Sequence, residues 1–260
     1  PQVKVARSEE ELLNDKETNM VCGAAITNER CALGLRAMQA GKDYFTDKAP
    51  FTTLEQLDSA KKMVAQTGKK YMVYYGERLH VEGAVLAGNL IEQGAIGKVI
   101  HVEGFGPHRL GAAGRPQWFF EKEKYGGILC DIGSHQIEQY LFYAGEEDGT
   151  VSRSRIANYA HPQYPELDDF GDCAINGANG TIIIGTKGYI EIRKYVDVGT
   201  ERDGGNHVFL VNDQGEQYIN ATGLTGYPFF GDLILDSLNR TENAMTQAHA
   251  FKAAELCLIA

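Results

Sequence analysis

"DYFTDKAPFTTLEQLDSAKKMVAQTGKKYMVYYG", residues 43–76, changes period twice, and that change decides the fold. DYFTDK reads as a short strand. TTLEQLDSAKKMVAQTG then sets Leu54, Leu57, Ala60, Lys61 and Val64 on one helical stripe and stops at Gly68. KYMVYYG returns to a strand. A strand, a helix and a second strand joined by short connections predict a βαβ unit and a parallel sheet.

The same alternation extends upstream. SEEELLND opens on a capping box, Ser8 with Glu11 three positions later. NMVCGAAI is an apolar run read as a buried strand. ERCALGLRAMQAGK places Ala32, Leu35, Met38 and Gln39 at helical spacing and ends at Gly41, a C-cap signal. The pattern changes after about Gly76. HVEGAVLAGNLIEQGAIG predicts one helix capped near Gly94, KVIHVEGFG a strand, and a further helix runs roughly from Cys130 to Tyr143.

Six strand candidates follow: VSRSRIANYA, DDFGDCAING, TIIIGT, GYIEIRKYVDV, HVFLVND and EQYINAT. Gly, Asn and Asp turns separate them, which predicts a mostly antiparallel sheet. Two helical stretches close the chain, the last with Ala248, Phe251, Ala254, Glu255 and Leu258 spaced by threes and fours. The expected class is α/β plus α+β. Residues 1–75 would form part of a Rossmann-type parallel-sheet domain. Residues 76–260 would form a domain with a large, open-faced antiparallel sheet.

The bulk numbers narrow the function. The 260 residues are enough for a sizeable core, and 43% hydrophobic with 23% charged is a globular composition. A formal net charge of -10 disfavours nucleic acid and anionic lipid as partners. No apolar run approaches the roughly 20 residues that span a bilayer. The five cysteines form no CxxC, so they read as free thiols of a reducing compartment, the cytoplasm, and not as a zinc site.

Candidate chemistry gathers in four places. In YGGILCDIGSHQIEQY, residues 125–140, Asp131 and His135 stand four apart, one turn of a helix. A helix N-terminus would hold His135 neutral and ready to accept a proton. The plainer alternative is a capping aspartate and a satisfied histidine. In FTDKAP a strand end delivers Asp47 and Lys48 to a loop, where ligands of parallel sheets bind; a solvated lysine beside its own counter-ion is the alternative. YYGERLHV carries Arg78 and His80, and FGPHRL carries His108 and Arg109. With the sole tryptophan, Trp118, these suit a sugar or polyol site, although each taken singly reads as structural. No GxGxxG, no GxxxxGK[ST] and no metal-ligand spacing is present.

Taken in order, DKAP, YYGERLH, IEQGAIGKV, GGILCDIGSHQIE and GTKGYIEI resemble the signature segments of the Gfo/Idh/MocA family of NAD(P)-dependent oxidoreductases, and the resemblance covers nearly the whole chain. It departs from the family pattern at several points. Thr27 and Cys31 stand where the family's ATPNxxH loop has proline and histidine. Ala49 separates Lys48 from Pro50, and Glu138 replaces an aspartate. The resemblance implies a glycine-rich strand–turn–helix upstream of Pro1, and one or two further strands between Gly180 and Thr181.

It also implies hydride transfer between NAD or NADP and a secondary hydroxyl of a sugar, polyol or inositol. Lys48, Asp131 and His135 would be catalytic. Asn28, Asp47, Lys48 and Arg78 would lie on the cofactor, and His108, Arg109 and Trp118 on the substrate. The expected assembly is a homodimer or homotetramer joined through the large sheet. The alternatives on the same scaffold are a non-oxidising sugar-binding or regulatory protein and a cofactor-recycling glycosidase or sugar-converting enzyme.

Overall fold

The computed structural model describes residues 3–145, 147–176, 182–196 and 205–260. The strands are β1 Met20–Gly23, β2 Asp43–Asp47, β3 Tyr71–Tyr74, β4 Val99–Val102, β5 Thr150–Ala157, β6 Phe170–Asn176, β7 Ile182–Gly185, β8 Gly188–Lys194, β9 Asn206–Asn212 and β10 Gly215–Asn220. The helices are α1 Glu9–Asn14, α2 Thr27–Gln39, α3 Leu54–Thr67, α4 Gly76–Leu79, α5 Glu82–Glu92, α6 Lys122–Tyr125, α7 Ile128–Asp131, α8 Gly133–Ala144, α9 Phe229–Asn239 and α10 Gln247–Ile259.

β1, β2 and β3 form a parallel sheet in that order, with α2 and α3 as the connections. Cys22 lies level with Phe45, and Phe45 with Met72, so all three strands end at one edge. Three loops leave that edge: residues 24–26, 48–53 and Tyr75 into α4. The helix stripe on α2 differs from the expected one. Cys31, Gly34, Ala37 and Met38 are buried, whereas Ala32 and Gln39 are exposed. Gly34 is the reason. It sits on the rings of Tyr44 and Tyr71, where a Cβ would come within 2.5 Å of Tyr71. Those rings meet edge to face at 5.0 Å, fully buried, so α2 turns its smallest residue to them. On α3, Leu57 and Ala60 are buried but Leu54 is exposed; Gly68 ends the helix in the left-handed region.

The antiparallel strands divide. β10, β9, β8, β7 and β4 join in that order into one sheet. Its inner face presents Ile183, Ile190, Val208 and Leu210, all buried, and α5 packs on that sheet. The outer face presents Ile182, Ile184, Tyr189 and Tyr218, all exposed. β5 and β6 pair only with each other among the described residues and rest on α7 and α10. Ile175 is buried and Val151 packs on the core, while most other side chains of this ribbon face solvent. The Gly180–Thr181 junction, where further strands were expected, lies outside the described residues.

The helix expected over 130–143 is two helices. α7 ends at Asp131, Ile132 lies between, and α8 starts at Gly133. The N–H of His135 reaches back to the carbonyl of Ile132 at 3.2 Å and leaves that of Asp131 to side-chain donors.

Candidate active site

The break after Asp131 builds the site. Gly126 and Gly127 both take left-handed φ, 88° and 89°, which only glycine adopts readily, and they swing the chain into α7. The Asp131 carbonyl, lacking an N–H from the next turn, accepts Lys48 Nζ at 2.7 Å and Ser134 Oγ at 3.0 Å. The same ammonium donates to Asp131 Oδ1 at 2.6 Å. Both side chains are mostly buried, 14% and 19% exposed. Asp131 is therefore Lys48's partner and not a helix cap; no side chain caps α8.

Lys48 is held from below. β2 ends at Asp47, and the Lys48 N–H still donates to Tyr74 of β3, at 3.3 Å. The Lys48–Ala49 peptide is cis. Arg30, buried on α2, sends Nη1 to the carbonyls of Asp47, Lys48 and Ala49, and Nε to that of Ala25.

His135 is 8% exposed, and its Nδ1 is buried without a hydrogen-bond partner. Burial first, and the charge of Lys48 second, push its pKa down to about 4; Lys194 adds to this, and Glu77 and Glu138 oppose it. The neutral state follows the expectation, but its causes are burial and Lys48. Glu77 and Lys194 form a second pair beside it. Lys194 Nζ bonds the backbone and side chain of Glu77, each at 3.1 Å, and Gln139 Oε1 at 3.2 Å. Gln139 in turn donates to the His135 carbonyl. Nothing in the sequence pointed to this pair, whose members lie 117 residues apart.

The other expected site residues are spread more widely. Asn28, in the first turn of α2, has a buried side-chain oxygen without a partner. Asp47 is exposed at the end of β2. Arg78 turns inward: it pairs with the fully buried Glu138 at 2.5 Å and lies over the Phe142 ring at 3.9 Å. His249 completes that group at 3.0 Å from the same Glu138 oxygen. Burial would raise the Glu138 pKa, but Arg78 and His249 outweigh it and hold it at about 2. His108 and Arg109 are exposed, on a segment that crosses the start of α8 where Gly106 meets Gln136. Trp118 is half-buried in a separate aromatic cluster with Phe119, Phe120 and Tyr125. No hydrogen bond ties these three to Lys48 or His135.

The comparisons agree with this architecture. Residues 1–75 match the model of an oxidoreductase family with an NAD-binding Rossmann fold, and residues 85–195 match the GFO/IDH/MocA C-terminal domain. A crystal structure of a protein from Erwinia carotovora atroseptica, described as an oxidoreductase, superposes with a TM-score of 0.92 at 46% identity, covering 98% of this chain and 82% of that one. Among curated relatives, D-xylose dehydrogenase of Paenarthrobacter nicotinovorans is 31% identical over 129 residues, 48% of this chain and 33% of the relative. The scyllo-inositol 2-dehydrogenase (NAD(+)) of Bacillus subtilis is 29% identical over 163 residues, 62% of this chain and 44% of the relative. The chain thus spans less than half the length of these two curated relatives. No helix among the described residues is long and apolar enough to cross a membrane. With the parallel sheet, the open antiparallel sheet and the family models all in agreement, the chain belongs to the Gfo/Idh/MocA family of oxidoreductases.

Proposed function

We propose that this protein moves a hydride between a nicotinamide cofactor and a secondary hydroxyl of a sugar, polyol or inositol. The observation that carries the reading is the pair of hydrogen bonds that Lys48 donates to Asp131 beside a buried, neutral His135. An ammonium has three donors, and Asp131 takes two. The third is left for a substrate oxygen. There Lys48 would stabilise the charge that develops as the hydroxyl loses its proton. His135 would take that proton as general base, and return it in the reverse direction. Asp131 would orient Lys48 and accept from a neighbouring hydroxyl.

The residues present fit the nicotinamide end of NAD or NADP. The unpartnered Asn28 oxygen is a ready acceptor for a carboxamide N–H, and Lys48 lies across the same sheet edge. When bound, the nicotinamide supplies the hydride acceptor or donor. The names of the xylose and inositol dehydrogenases support the substrate class. We further read the domain division at about residue 75, where the parallel sheet ends, and the five free thiols as fitting the reducing cytoplasm. The exposed Ile184 and Tyr189 on the outer sheet face support a homodimer or homotetramer through that face.

The test is direct. Full-length protein is mixed with NAD or NADP and a panel of aldoses, polyols and inositols, and reduced nicotinamide is followed by absorbance. Turnover with one class, lost in Lys48→Met and His135→Asn, is the expected result. Sugar binding without any change in the cofactor or in the sugar, by product analysis, would overturn the reading.

A further inference from the structure

Arg30 is a buried guanidinium whose partners are all carbonyls. It is 8% exposed, and among the described residues no carboxylate lies within ion-pair distance of it. Its Nη1 faces three consecutive carbonyls, Asp47 at 3.2 Å, Lys48 at 2.5 Å and Ala49 at 3.0 Å. Its Nε bonds the Ala25 carbonyl at 2.9 Å. Burying a cation is costly unless its donors are met, so these four contacts stand or fall together. The first three fix the loop that carries Lys48, and the fourth fixes the 24–26 loop that leads into Asn28 at the start of α2.

Local chain chemistry fixes the first loop only in part. Pro50 holds Ala49 extended but leaves Lys48, two positions before it, without that restraint. One further cross-tie runs between the loops: Gln56 donates to the Asn28 carbonyl at 3.0 Å and accepts from the Thr52 N–H at 2.8 Å.

We propose that Arg30 is the positioning residue of this site, its single guanidinium holding the Lys48 loop at a fixed spacing from the 24–26 loop that leads into Asn28, so that ammonium and amide address one ligand. The proposal rests on the catalytic reading of Lys48 given above. It makes no contact between Arg30 and substrate or cofactor; Arg30 acts through Lys48.

The test reads Lys48's position through His135, which feels Lys48, Glu77, Lys194 and Glu138. The His135 ring is followed by NMR across a pH titration in the wild-type chain, Arg30→Ala, Arg30→Lys and Lys48→Met. Lysine at 30 keeps a cation but offers one nitrogen to four carbonyls, and provides a folded variant should alanine fail to fold. Lys48→Met should move the His135 midpoint up by about half a pH unit or more. Arg30→Lys should move it in the same direction, with Arg30→Ala at least as far. An unmoved midpoint in both Arg30 variants, alongside a shift in Lys48→Met, overturns the proposal and leaves the functional reading intact. An unmoved midpoint in Lys48→Met removes Lys48 from the neighbourhood of His135, and with it the reading on which the proposal rests.

Discussion

Lys48 donates to both the carbonyl and the carboxylate of Asp131, at 2.7 and 2.6 Å. The carbonyl is available only because the chain breaks its helix at Ile132. A single side chain thereby reads both the conformation and the charge of its partner. Removing the charge should cost transition-state stabilisation. Lys48→Met is expected to lower kcat by roughly 10²–10³-fold, as loss of one oxyanion donor does. Lys48→Arg should not restore it, because a planar fork cannot reproduce two convergent donors and a third facing outward. Steady-state kinetics on the purified variants, with circular dichroism to confirm folding, check both.

His135 predicts two pH effects. Its folded pKa, about 4, lies below the ordinary 6.5. As pH falls below 6.5 the unfolded chain takes up a proton that the folded chain refuses, so stability falls until about pH 4 and then levels off. The difference is on the order of 3 kcal/mol. His135→Asn should flatten that stretch of a stability–pH curve measured by urea unfolding. In kcat/KM the acid limb should likewise lie near pH 4, well below that of an ordinary histidine base. A limb at 6.5 would mean that the base is exposed, or is another residue.

Much of the fold was legible because periodicity is local. The change from strand to helix to strand over 43–76 is visible in any window of the chain. The site was legible only where its chemistry sat on a local pattern. Asp131 and His135 could be paired by spacing, yet the spacing misled about their geometry. ILCDIGSHQ reads as one helix, and only Gly133 hints at the break. No sequence pattern singles out Arg30, between Glu29 and Cys31. Its burial depends on carbonyls that arrive from a loop 17 to 19 residues away. Arg78 misled for the same reason: its partner Glu138 lies 60 residues on, and burial of that pair is a tertiary fact.

Arg78 therefore predicts a stability effect. Arg78→Leu strips the fully buried Glu138 of its main counter-charge. Breaking a buried pair from one side costs about 3–5 kcal/mol. Thermal unfolding should shift down by roughly 10 °C, at about 2–4 °C per kcal/mol for a chain of this size. Double replacement, Arg78→Leu with Glu138→Leu, should recover part of the loss, because no charge is left unpaired. Affinity for NADH, by fluorescence titration, should change little, since the guanidinium is spent on Glu138 and on the Phe142 ring.

The outer face of the five-stranded sheet gives the last prediction. Cross-strand partners Ile184 and Tyr189 are 36% and 39% exposed, and Tyr218 is 50% exposed on the same face. Their inward neighbours Ile183 and Ile190 are fully buried, so the period of two places one apolar row in the core and a second row outside. Exposed apolar rows of this kind mark interaction surfaces, and the proposed dimer or tetramer would cover this one. Tyr189→Asp sets a charge in the middle of that row without touching the core. It should shift sedimentation of the full chain toward monomer, while the melting temperature at high dilution stays near that of the wild type. Unchanged sedimentation in Tyr189→Asp would place the interface elsewhere on the molecule.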